Sequence, residues 1–92
     1  MYSSNETKVI NYFNKKKYYN SGFLRSSYWN RRIKNLLLGD ATNYERKKIF
    51  QNLLKYGFFY KQQTLQNSYI YQFVGKKKNK IISEREYTIS FD

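Results

Sequence analysis

Hydrophobic positions along the chain change period once, near Gly57. Before it they recur every three to four residues, the spacing of one helix face; after it they alternate, the spacing of a half-buried strand. Val9, Ile10 and Phe13 share one side of a helix predicted over Asn5–Lys16, with Lys8, Asn11 and Lys15 pointing away. Its last turn is lysine-rich, as the negative end of a helix dipole favours, and Gly22 lies in the turn that follows. A second helix is predicted to open after Ser26 or Ser27, either a good N-cap, and to run to Leu38, with Gly39 as its left-handed stop. Trp29, Ile33, Leu36 and Leu37 form its apolar stripe, while Arg31, Lys34 and Asn35 lie on the other side.

The third helix has the clearest boundaries. Thr42-Asn43-Tyr44-Glu45 has the T-x-x-E form of a capping box, and Gly57 closes the helix about four turns later. Ile49, Phe50, Leu53 and Tyr56 gather on one face, with Leu54 at its flank. Tyr44, Lys47, Lys48, Gln51 and Lys55 group within about 100° of arc on the opposite face, which carries no acid. Strands are then predicted over Phe58–Gln63 and Ser68–Val74, joined by the polar stretch Thr64-Leu65-Gln66-Asn67. In the second strand Tyr69, Tyr71 and Phe73 share one face, and Ile70, Gln72 and Val74 the other. After a loop over Gly75–Lys80, Arg85, Tyr87, Ile89 and Phe91 alternate with Glu86, Thr88 and Ser90, which predicts one more strand. No Pro, repeat or Gly/Ser linker interrupts the 92 residues, so a single α+β domain is expected.

Charge narrows the function. The chain holds 18 Lys and Arg against 6 Asp and Glu, a net charge of +12. Between Lys8 and Lys80 there are 17 basic residues and only two acids, Asp40 and Glu45. That imbalance points to a polyanionic partner, nucleic acid before acidic membrane. Aromatic abundance carries less weight. Asn, Lys, Tyr, Phe and Ile make up 48 of the 92 residues, and all five have AT-rich codons, so much of the tyrosine count reflects genome composition. Trp29 and Phe58-Phe59 are accordingly read as core, whereas Tyr18, Tyr19 and Tyr28 are candidates for stacking on unpaired bases. Lys15-Lys16-Lys17 is read as a helix end able to meet phosphate.

Several classes are excluded. Without Cys there is no disulfide framework, thiolate metal site or cysteine nucleophile, and without His the commonest metal ligand and general base are both missing. Glu84 and Glu86 share a face of the last predicted strand, Glu45 is taken by the capping box and Asp40 stands alone. No carboxylate cluster for a metal-dependent nuclease and no glycine-rich phosphate loop is present, so neither an enzyme, a cofactor nor a metal is expected. The longest aliphatic run, Leu36-Leu37-Leu38, is far short of the roughly 20 residues of a membrane span. Met1–Glu6 lacks the features of a signal or transit peptide, and an intracellular protein is expected.

Helix, helix, turn (Asp40-Ala41-Thr42-Asn43), helix and β-hairpin follow the order of a winged helix-turn-helix domain. Tyr44–Gly57, with Phe58-Phe59-Tyr60 and Ser68–Phe73, resembles the recognition helix, strand, wing and returning strand of that superfamily, over about residues 5–74. The resemblance implies three helices, a hairpin wing and here an additional C-terminal strand. It also implies docking of the third helix in the major groove, where Gln51 would read adenine while Lys47, Lys48 and Lys55 meet phosphates beside Tyr44. Arg31 and Lys34 of the second helix, Lys61 and Gln63 of the wing, and the run Lys76, Lys77, Lys78 and Lys80 complete the expected nucleic-acid surface. Three functions fit this pattern. One is a small viral, phage or mobile-element regulator binding duplex DNA. Another is a structural protein embedded in RNA, such as a ribosomal or organellar ribosome component. The third is a small inhibitor that binds a host nucleoprotein. A homodimer through the Tyr69/Tyr71/Phe73 face or the last strand is also open.

Overall fold

Two capping boxes start two of the helices. In the first, Ser3 Oγ accepts from Glu6 N (3.1 Å) while Glu6 Oε1 accepts from Ser3 N (2.9 Å). In the second, Thr42 Oγ1 accepts from Glu45 N (3.1 Å) and Glu45 Oε1 from Thr42 N (2.8 Å). The computed structural model describes residues 2–75 as α1 (Ser4–Lys15), a 3₁₀ turn (Tyr18–Asn20), β1 (Leu24–Arg25), α2 (Ser26–Leu36), α3 (Asn43–Tyr56), β2 (Phe59–Gln63) and β3 (Tyr69–Phe73). Gly57, at φ +94°, ends α3 in the left-handed conformation that costs a residue without Cβ least.

The described residues form an α+β arrangement of three α-helices and one antiparallel sheet in the order β1-β3-β2. Leu24 pairs with Tyr71 and Arg25 with Ile70; on the other edge Phe59 pairs with Phe73, Lys61 with Tyr71 and Gln63 with Tyr69. This register puts Phe59 and Phe73 on the sheet face that meets the helices. There they join Val9, Phe13, Trp29, Ile33, Leu37, Phe50 and Leu53 in the core. The centre is aromatic: Phe13 lies 5.4 Å from Trp29 and 5.3 Å from Phe73, and Phe59 lies 5.0 Å from Trp29 and 4.9 Å from Phe50. The rings are tilted or edge-on, the geometries their quadrupoles favour.

Some boundaries move from the expected ones. Helix α2 begins at Ser26 with Arg25 in the cap position, and no serine caps it. The cause is β1: pairing with Ile70 holds Arg25 extended, so the strand runs directly into the helix. Helix α2 also stops before Leu38, because Leu37 donates the last bond to Ile33 O (2.9 Å) and Asp40 N then closes a turn onto Leu37 O (2.9 Å). Leu37 is fully buried whereas Leu38 is 72% exposed, and residues 37–42 form the connection to α3. Strand β1 itself was not expected, since two residues show no alternation. The predicted strand over Arg85–Phe91 and most of the Gly75–Lys80 loop lie outside the described residues.

Candidate nucleic-acid interface

Helix α3 presents its polar face as a ridge between two clefts. Tyr44, Lys47, Lys48, Gln51 and Lys55 are all exposed, as expected from their spacing. They divide between two clefts, however. Tyr44 and Lys48 lean toward α1, where they line a cleft of about 410 Å³ with Ser3, Glu6, Glu45 and Asn52. Glu6 is only 4% exposed, and its Oε2 accepts from Asn52 Nδ2 at 2.8 Å. Two carboxylates make this flank a poor seat for a phosphate.

The other flank is different. Lys47 leans toward α2 and lines a cleft of about 340 Å³ with Ser27, Asn30, Arg31, Lys34, Asn43 and Arg46. Four cations, two from each helix, thus converge on one concavity with no acid in its lining. Arg31, Lys34 and Lys47 are exposed. Arg46 is half-buried, with Nη1 donating to Ala41 O at 2.6 Å, which holds the guanidinium against the α2–α3 connection. Cations gathered around one cleft repel one another, and an anion between them relieves that repulsion. Asn30 and Lys47 continue into an adjoining cleft of about 320 Å³, lined also by Ser26, Phe50, Gln51, Leu54 and Tyr71. Asn30 Oδ1 is buried there without a hydrogen-bond partner. Burial, and then the Tyr69 phenol, push the Tyr71 hydroxyl above its ordinary range.

Beyond Tyr71 the surface passes onto the hairpin. Lys61, paired with Tyr71 in register, carries its ammonium 4.3 Å above the centre of the Tyr69 ring. Gln63 is exposed, and its Nε2 donates to Asn67 Oδ1 at 3.1 Å, which ties this amide to the turn. Both lie on the sheet face that carries the helices. The structure therefore brings Arg31, Lys34, Lys47, Gln51 and Lys61 along one continuous stretch and sets Tyr44 and Lys48 apart, with Lys55 exposed on the ridge. Lys76, Lys77, Lys78 and Lys80 lie outside the described residues. Of the tyrosines considered for stacking, Tyr18 and Tyr28 are half-buried and meet Trp29 edge-on at 5.7 and 5.5 Å.

Arg46 and Asn30 were not singled out in the sequence, and Tyr71 was placed there only on a strand face open to dimerisation. Helical spacing turns Arg46 about 200° from Tyr44, which reads as an inner flank, and only the position of α2 makes that flank a cleft wall. Among the described residues no group of three or more His, Cys, Asp or Glu side chains gathers as a metal site would require. None of their helices is long and apolar enough to cross a membrane. In comparison with known proteins, no family model, no curated sequence and no solved structure matches the chain.

Proposed function

We propose that this chain is a non-enzymatic duplex-DNA-binding module of the winged helix-turn-helix kind, acting as a small regulator. Its third helix lies in the major groove and its hairpin points toward the neighbouring backbone or minor groove. The observation that carries the reading is the acid-free cleft between α2 and α3, where Arg31, Lys34, Arg46 and Lys47 converge. A concavity of four cations beside an exposed Gln matches a strand edge, with phosphate in the cleft and a base edge at Gln51. The element order α1-β1-α2-α3-β2-β3 and the strand order β1-β3-β2 support it, because they set a hairpin next to α3 as a winged helix needs.

Fluorescence anisotropy against duplex DNA, single-stranded DNA and structured RNA, from about 50 to 300 mM salt, tests the proposal. Duplex preferred over single strand, with a log–log salt slope of about 4–8, is the expected result. Preference for structured RNA would transfer the cleft to an RNA-embedded role. Weak binding to all three would end the nucleic-acid reading and direct the search to a protein partner.

A further inference from the structure

We propose that the tip of the β2–β3 hairpin meets the minor groove of duplex DNA and that Leu65 there wedges against the base steps, bending the duplex. The inference rests on the duplex-binding reading and adds a second contact of different chemistry.

Leu65 is 99% exposed, more than any other large hydrophobic residue among those described. A lone leucine on a loose loop is unremarkable. This one is on a turn held from several sides. Thr64 N donates to Ser68 O (2.8 Å), Asn67 N to Thr64 O (3.1 Å), and the Thr64 and Ser68 hydroxyls meet at 2.7 Å. Ser68 N also donates to Thr64 Oγ1 (3.2 Å), and Asn67 takes a left-handed φ of +62° that fixes the bend. Ordering the tip in advance removes much of the entropy cost of seating it in a partner.

Charge identifies the partner. Lys61 lies on one face of the hairpin, over the Tyr69 ring, while Arg25 lies on the other, its Nη1 3.5 Å from Ser68 Oγ. No acid occurs between Gly57 and Gly75. An apolar tip with a cation on each side complements a groove with an uncharged floor and a phosphate wall on each side. The minor groove, roughly 6 Å wide, is such a groove: it is too narrow for the paired strands themselves but admits the single side chain at their tip. Apolar side chains inserted there partly unstack a base step and kink the helix, most cheaply at flexible pyrimidine–purine steps.

The test measures bending by energy transfer between the ends of a duplex of about 30 base pairs, alongside affinity, for the full chain and its Leu65→Ser and Leu65→Phe variants. Leu65→Ser is expected to abolish the bend and weaken binding roughly tenfold, with an unchanged salt slope because no cation is lost. Leu65→Phe should keep the bend. Circular dichroism checks that Leu65→Ser folds as the parent does, which its exposure predicts. If Leu65→Ser bends and binds like the parent, the wedge is wrong and duplex binding stands. If the parent shows no salt-dependent duplex binding at all, both fall together.

Discussion

Trp29 Nε1 donates to the Tyr71 carbonyl at 3.1 Å, joining α2 to the central strand across 42 residues of chain. The bond lies under the cleft that Tyr71 lines with Gln51 and Asn30, so the same indole that fills the core also sets the height of α2 above the sheet. Trp29→Phe removes the donor and leaves a void beside Phe13 and Phe59. We expect a loss of about 2–3 kcal/mol in urea unfolding, combining a lost bond with a small cavity. Binding to duplex DNA should weaken as well, because the cleft wall moves. A variant with parental stability would show that neighbouring rings refill the site.

Glu6 and Glu45 perform the same capping role in different surroundings. Glu6 is buried and also holds Asn52 of α3, whereas Glu45 is exposed. Removing Glu6 strands two donors, Ser3 N and Asn52 Nδ2, of which the half-buried Asn52 amide is the harder for water to reach. Glu6→Ala is therefore expected to cost about 2–3 kcal/mol and Glu45→Ala about 0.5–1 kcal/mol, measured by denaturant titration. Glu6→Gln should recover part of the loss, since its oxygen can still cap Ser3 N while the Asn52 amide turns over. Equal costs for the two alanine variants would mean that the Glu6–Asn52 bond contributes nothing.

The two flanks of α3 make opposite predictions for its lysines. Arg31→Ala, Lys34→Ala and Lys47→Ala each empty one wall position of the acid-free cleft and should each reduce the salt slope of duplex binding by about one. Lys48→Ala, above Glu6 and Glu45, should change it by much less. Gln51→Ala is expected to cost about 1–3 kcal/mol on the preferred sequence and almost nothing elsewhere. Salt titrations of the five variants decide the matter; a Lys48 effect as large as that of Lys47 would place the strand on the α1 side.

Helix α3 was legible because three independent local signals agree: a capping box, a 3.6-residue stripe and a terminal glycine. The hairpin was legible for the same kind of reason, with β-formers on each side of a polar turn. The Ser3/Glu6 box has the same spacing as the Thr42/Glu45 box, and it moves the start of α1 only one residue from the expected Asn5. Strand β1 was beyond reach, since what makes Leu24-Arg25 a strand is the free edge of β3, 45 residues later. Arg46 was missed for a related reason. Periodicity gives the angle at which a side chain leaves its helix, and tertiary packing decides what stands opposite.

Two tyrosines tie stability to alkaline pH. Burial raises the Tyr71 phenol, with the Tyr69 phenol adding to it. Burial also raises that of Tyr18, more than the Arg32 charge lowers it. In the unfolded chain both lose their protons near the ordinary value of about 10, whereas the folded chain holds them to higher pH. Across that interval the unfolded state binds fewer protons, so the free energy of unfolding falls as pH rises. Their contribution is whole below the unfolded value and is lost as pH climbs through the folded one. Circular dichroism with urea from pH 8 to 11 should therefore show a decline beginning near pH 10. Tyr71→Phe and Tyr18→Phe should each flatten it, because phenylalanine has no proton to lose in either state. Slopes identical to the parent's would mean that these phenols ionise as freely in the fold as in water, and that their burial is too shallow to hold the proton.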